Sequence, residues 1–138
     1  MYLLDTNVIS ECRKGKNANI GVQNYFKHVL TNDDKIYLSV ITIGELRRGI
    51  EMIRYRNDIL QANKLEQWLE VILTDHSKTI LPFDNDCAQV WGKLRVPHHE
   101  NLLDKQIAAT ALIYDLTVVT RNTNDFSGCG VKLLNPFN

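Results

Sequence analysis

The chain has 138 residues, of which 44% are hydrophobic and 23% charged, and its 16 basic and 16 acidic residues give a formal net charge of zero. These values predict one soluble globular domain over residues 1–138, and the balanced charge argues against a protein that coats DNA without sequence preference. No apolar run approaches the roughly 18 residues of a membrane-spanning helix and no signal peptide is visible, so we expect a cytoplasmic protein.

Short apolar strands alternate with longer helical segments along the chain. Strands are predicted at residues 2–4, 36–40, 79–83, 116–120 and 131–137. Helices are predicted at residues 6–14, 20–30, 43–56, 59–74, 84–96 and 101–115. This alternation implies right-handed crossovers and a parallel sheet that is covered on both faces. We therefore predict an α/β fold with a central, mostly parallel sheet of about five strands.

An acidic residue ends the first predicted strand. The stretch LLDTNV places Asp5 directly after two leucines. A carboxylate at the end of a buried strand needs a partner, a cation or water. In open α/β sheets, ligands bind outside the carboxyl ends of the strands. Asp5 is therefore the first candidate for a functional site.

Three later segments offer polar side chains at the same edge of the sheet. Glu45 follows the second strand, although Thr42 and Glu45 also have the spacing of a helix capping box. Asp104 begins a helix, where it either joins a site or only complements the helix dipole. Asn122 and Asp125 follow the fourth strand in TRNTNDF, which is equally typical of a polar turn. Both interpretations stay open for each segment.

Acids from several segments at one sheet edge predict a cation site. Neighbouring carboxylates raise one another's pKa and destabilise the fold unless a cation offsets their charge. An oxygen-only set of ligands selects a hard ion, Mg²⁺ or Mn²⁺, and such a site suits phosphodiester hydrolysis. The three cysteines and four histidines lack the spacing of a zinc site or a disulfide framework.

Four motifs, LLDTNVIS, SVITIGEL, DKQIAATA and TRNTNDF, resemble those of the PIN-domain ribonucleases. More narrowly, they resemble the VapC/FitB-type toxins of bacterial toxin–antitoxin pairs, and the resemblance covers essentially the whole chain. It implies an α/β/α sandwich and a metal-dependent endoribonuclease with Asp5, Glu45 and Asp104 around Mg²⁺ or Mn²⁺. Family members often carry a fourth acid where this chain has Asn122. Asn122 and Asp125 are therefore both kept as catalytic candidates.

The resemblance also implies partners and a biological role. It implies a homodimer and a cognate antitoxin, through which a toxin–antitoxin assembly would meet operator DNA. The expected substrate is structured RNA such as tRNA, whose cleavage would inhibit translation until the antitoxin neutralises the toxin. Arg48, three residues from Glu45 on one helix, and Arg121, which follows the fourth strand, are the candidates for RNA binding. An ordinary solvated surface explains these arginines equally well.

Other classes of protein place acids at the same sheet edge. A phosphotransfer signalling module would need an acidic pair after the first strand. A haloacid-type phosphatase would need Asp-x-Asp, whereas the chain has Asp5-Thr6-Asn7. The remaining alternative is a PIN fold that has lost catalysis and acts as a binding module. Such a module has no reason to bind Mn²⁺ at the acid cluster.

Overall fold

The computed structural model describes residues 1–138 and contains five strands, six α-helices and two short 3₁₀ turns. The strands are β1 (Tyr2–Leu4), β2 (Ile36–Ser39), β3 (Ile80–Leu81), β4 (Thr117–Val119) and β5 (Lys132–Leu134). The helices are α1 (Thr6–Cys12), α2 (Ile20–Asn32), α3 (Val40–Tyr55), α4 (Ile59–Asp75), α5 (Asn85–Leu94) and α6 (Leu102–Tyr114). The 3₁₀ turns are Gly15–Asn17 and Thr123–Phe126. None of the helices combines the length and the apolar character that crossing a membrane requires.

The five strands form one sheet in the order β3-β2-β1-β4-β5, and every neighbouring pair is parallel. Tyr2 of the central strand pairs with Ile36 on one side and with Thr117 on the other. The chain winds outward from β1 through β2 to β3, and then returns to the other side of β1. The winding direction therefore reverses between β1 and β4, which opens a crevice at their carboxyl ends. The predicted α/β fold and parallel sheet are confirmed.

Both faces of the sheet are covered by helices. Leu3 and Leu4 are 0% and 2% exposed and belong to separate apolar cores, because successive side chains of a strand point to opposite faces. Helix α6 packs on one face through Ala108 and Ala111, whose small side chains let the helix approach the strands closely. This close packing holds the first turn of α6 near the carboxyl ends of β1 and β4.

Helix α3 begins earlier than the sequence predicts. Ser39 ends β2 and caps the helix, since its hydroxyl accepts a 3.0 Å hydrogen bond from the backbone N–H of Ile41. The alternative capping box of Thr42 and Glu45 is therefore wrong: Thr42 is fully buried, and its hydroxyl has no hydrogen-bond partner. Glu45 lies beyond the first turn of the helix, so its side chain is free for another role.

Candidate active site

A cleft of about 620 Å³ opens at the reversal point between β1 and β4. Four acidic side chains line it, from four segments of the chain: Asp5, Glu45, Glu100 and Asp104. Three asparagines also line it, Asn7, Asn101 and Asn122, and the apolar wall comes from Leu102, Leu103 and Ile107. The structure therefore brings together the three acids of the predicted triad and Asn122.

Asp5 is the most buried of these acids and is held from several sides. It is 5% exposed, and its Oδ1 accepts a 2.8 Å hydrogen bond from the backbone N–H of Thr6. Its Oδ2 accepts bonds from the hydroxyl of Thr120 at 2.8 Å and from the side-chain amide of Asn7 at 3.2 Å. Burial raises the pKa of Asp5, although these three hydrogen bonds act in the opposite direction. The contacts fix the orientation of its carboxylate.

Asp104 shows the electrostatic effect of the cluster most clearly. It lies in the first turn of α6 and is partly buried. Burial, followed by repulsion from Asp5, Asp125 and Glu45, raises the pKa of Asp104 to about 6. A carboxyl with a pKa near neutrality in a cleft is a common property of catalytic sites. Asp5, Glu45, Asp104 and Asp125 therefore form one electrostatic unit.

The two polar residues after β4 occupy different places. Asn122 lines the acidic cleft, and its backbone N–H donates a 3.0 Å hydrogen bond to the hydroxyl of Thr120. Asp125 instead lines a neighbouring cleft of about 290 Å³. Its charge still reaches the acidic cleft, because it raises the pKa of both Asp5 and Asp104. Asn122 thus lines the acidic cleft itself, whereas Asp125 acts on its acids from the neighbouring cleft.

The donor set suits a hydrated cation better than a fully dehydrated one. No group of three or more His, Cys, Asp or Glu side chains is placed to hold a metal ion directly. The carboxylates of Asp5, Glu45 and Asp125 nevertheless repel that of Asp104 and so help to raise its pKa. Mg²⁺ usually keeps several waters and binds through one or two carboxylates, so direct contact with three is not required. The carboxylate and amide oxygens that line the cleft fit such an ion.

Neither predicted RNA-binding arginine lines the cleft. Arg48 is exposed on α3 and forms no salt bridge with any acid. The guanidinium of Arg121 lies 5.0 Å from the ring centroid of Phe137, and its backbone N–H donates to the side chain of Asn7. Both arginines therefore lie outside the lining of the cleft, and Arg121 adjoins it through Asn7.

The sequence analysis passed over four residues that shape the site. Thr120 and Asn7 orient Asp5, and the signal available for both was their position within three residues of a strand end. His99 and Glu100 line the cleft from the segment between α5 and α6. That segment has no periodic pattern, so the sequence offered no signal for its placement.

A family profile described as PIN domain matches residues 2–129. Toxin FitB of Neisseria gonorrhoeae is 36% identical over 99% of both chains. The VapC ribonuclease Y4jK of Sinorhizobium fredii is 32% identical over 99% of this chain and 98% of its own. A solved structure of FitAB bound to an IR36 DNA fragment has a TM-score of 0.81 and 33% identity, and the match covers 100% of this chain and 96% of the other.

Proposed function

The chain belongs to the PIN-domain family, and we propose that it is a metal-dependent endoribonuclease that acts as the toxin of a toxin–antitoxin pair. The observation that carries this proposal is the convergence of Asp5, Glu45 and Asp104 on one cleft. The similarity to a protein named a toxin and to one named a ribonuclease supports it. We further propose that residues 1–138 act as one nuclease domain.

In this proposal Asp5, Glu45 and Asp104 would hold Mg²⁺ or Mn²⁺, with Asp5 and Asp104 as the closest ligands. When bound, the ion would orient and acidify a water and offset the charge that develops on the phosphate. Thr120 and Asn7 hold the Asp5 carboxylate in one orientation, so the carboxylate does not have to reorient during the reaction. Asn122 holds a water in the cleft through its amide, and Asp125 supports the loop that carries Asn122.

The proposed substrate is structured RNA such as tRNA, and its cleavage would stop translation. The cleft is wide and open, which suits an exposed single-stranded loop whose phosphates can reach the acids. The exposed Arg48 and Arg121 would contact phosphates outside the cleft rather than at the scissile bond. They would strengthen binding without reading the sequence.

A second groove offers a place for an antitoxin. It has a volume of about 240 Å³, and it shares Thr6 and Glu45 with the acidic cleft. Its floor is apolar, formed by Leu46, Ile50, Ile53, Leu65 and Trp68. An antitoxin segment lying here would reach the acids directly, and an arginine at its end would pair with their carboxylates in place of the cation. The FitAB–DNA structure supports the proposal that the antitoxin also carries the pair to operator DNA.

The hairpin of α3 and α4 supplies a surface for a second copy of the chain. Arg47 and Arg54 brace its two helices, since both bind Glu66, at 2.6 Å and 3.2 Å. Ile50 of this hairpin is buried, at 3% exposure, and so is not part of that surface. Large apolar side chains near the turn of the hairpin are nevertheless exposed, namely Met52, Tyr55, Ile59 and Leu60. We propose that they form part of a homodimer interface.

The direct test is cleavage of RNA by the purified protein with and without metal. Asp5→Asn preserves the shape of the side chain and removes its charge, so we expect at least a ~10³-fold loss of cleavage. Asp75→Asn, which removes an exposed carboxylate at the end of α4, is the matched control and should cleave normally. Full activity of Asp5→Asn, or activity that persists in excess EDTA, contradicts the proposal. A wild type that neither cleaves RNA nor binds Mn²⁺ would instead indicate a PIN fold without catalysis.

A further inference from the structure

The acidic cleft has almost no positive side chain of its own. Four carboxylates line it, and neither lysine nor arginine does. One divalent cation would offset only two of these four negative charges. An RNA strand brings one further negative charge with each phosphate. Among the lining side chains, only His99 can carry a positive charge.

His99 belongs to a short segment, residues 95–101, and contacts of Trp91 hold the chain at both ends of it. On one side, the Arg95 guanidinium lies 4.7 Å from the centroid of the Trp91 ring. On the other, the indole N–H of Trp91 donates a 3.2 Å hydrogen bond to the carbonyl of Leu102. The segment is therefore fixed to α5 and to the start of α6 although most of its side chains are exposed.

Lys105 holds the middle of this segment. Its ammonium donates a hydrogen bond to the backbone carbonyl of His98, the residue before His99. Lys105 is only 7% exposed and forms no salt bridge. A buried ammonium without an ion-pair partner is costly unless hydrogen bonds satisfy it, so the bond to the His98 carbonyl matters for the stability of this region. Here that bond sets the position of the backbone that carries His99.

We propose that His99 is a substrate-binding residue that donates a hydrogen bond to an RNA phosphate next to the scissile bond. Lys105 is a positioning residue, which keeps His99 at the cleft through the His98 carbonyl. The imidazole can donate this bond in either charge state, because a neutral ring still carries one N–H. This inference rests on the proposed ribonuclease function and adds to it the group that meets the substrate from the segment between α5 and α6.

The test measures the binding of a fluorescein-labelled single-stranded RNA oligonucleotide to the cleavage-deficient Asp5→Asn protein. His99→Ala should weaken binding roughly tenfold, the usual loss for one hydrogen bond to a charged group. His98→Ala is the matched control, since His98 is exposed and does not line the cleft, and it should bind within about twofold of the parent. His99→Arg should restore binding and steepen its dependence on salt, because it supplies a permanent charge.

The role of Lys105 is tested with a double-mutant cycle. Lys105→Met should reproduce most of the loss seen in His99→Ala, and the double variant should bind no worse than either single variant. If Lys105→Met does not fold, Lys105→Gln, which retains a donor for the His98 carbonyl, is measured instead: it should keep most of the binding, and a loss as large as that of His99→Ala would contradict the positioning role. Losses that add in full contradict a positioning role, because they show that Lys105 acts independently of His99.

In cleavage assays of the otherwise wild-type protein, His99→Ala should raise KM and leave kcat nearly unchanged, as expected for a lost binding contact. Equal behaviour of His99→Ala and His98→Ala overturns this inference alone, provided that the parent binds and cleaves RNA. A parent that does neither overturns the proposed function itself. The two failures are therefore distinguishable.

Discussion

The hydroxyl of Thr120 donates a 2.8 Å hydrogen bond to Oδ2 of Asp5, although the two residues are 115 positions apart in the sequence. This bond joins the carboxyl ends of the neighbouring strands β1 and β4. Thr120 is fully buried. Thr120→Val keeps the shape of the side chain but leaves the Asp5 carboxylate without this donor. We expect the free energy of unfolding to fall by about 1–2 kcal/mol and cleavage by roughly tenfold.

Thr120→Ser is the matched control for this change, because it keeps the hydroxyl. Chemical denaturation and single-turnover cleavage of both variants measure the two effects. Equal cleavage by the valine and serine variants would show that the hydrogen bond does not contribute to orienting Asp5.

Asp104 makes the stability of the metal-free protein depend on pH. Its pKa is about 6 in the folded protein, against 3.8 for an unperturbed aspartate. Ionising it in the folded state therefore costs free energy, and this cost builds up as the pH rises from about 4 to about 6. Asp104→Asn cannot ionise, so without metal it should melt at a higher temperature than wild type above about pH 7.

Below about pH 4 the advantage of Asp104→Asn should disappear, because the wild-type carboxyl is protonated in both states. The difference in melting temperature should be a few degrees, on the order of 1 kcal/mol after screening of a partly exposed group. Adding Mn²⁺ should stabilise the wild type more than the variant. Melting curves in EDTA across this range measure the effect, and a difference that does not change with pH would contradict it.

The placement of Asn122 and Asp125 predicts a ranking of their contributions to activity. Asn122 lines the cleft, whereas Asp125 acts on it from the neighbouring cleft. At saturating Mg²⁺, Asn122→Ala should lower kcat by about tenfold or more, and Asp125→Ala by only a fewfold. Circular dichroism of both variants checks that each is folded. The reverse ranking would mean that Asp125 is the residue that faces the metal site.

The groove beside the cleft can be blocked without disturbing the core. Gly49 lines it within α3, and a Cβ added there meets nothing within 4 Å. Gly49→Phe should therefore fold and weaken the antitoxin complex by about tenfold or more, since it fills the proposed docking groove. Gly92→Phe, in α5 and equally unobstructed, is the matched control. Titration calorimetry of both variants with the cognate antitoxin measures the effect.

On the antitoxin side, replacing the arginine that enters the acid cluster with alanine should restore metal access while most of the apolar binding remains. Mn²⁺ binding and cleavage by the coexpressed complex measure this. If the purified protein is a monomer, the proposed dimer is wrong. If no antitoxin binds or inhibits it, the proposed antitoxin is wrong as well.

The sequence predicted the parts of the fold that depend on local patterns. The apolar strands and the helical spacing gave the layers, and Asp5, Glu45 and Asp104 were placed at one edge because parallel strands end together. The start of α3 was misplaced because Ser39 and Thr42 are both good capping residues, and only the end of β2 decides between them. His99 could not be placed, since its position depends on a contact made by Lys105.

The central position of β1 has a consequence for the order in which the protein is made. β1, at Tyr2–Leu4, is translated well before β4, at Thr117–Val119, yet the two strands are neighbours in the sheet. Pairings between such distant segments form late and slowly, because a long loop must close first. A partly synthesised chain therefore lacks Thr120, Asn122 and the strand that completes the cleft. The candidate site therefore cannot assemble on the ribosome until β4 and the loop after it have emerged, long after Asp5 has been translated.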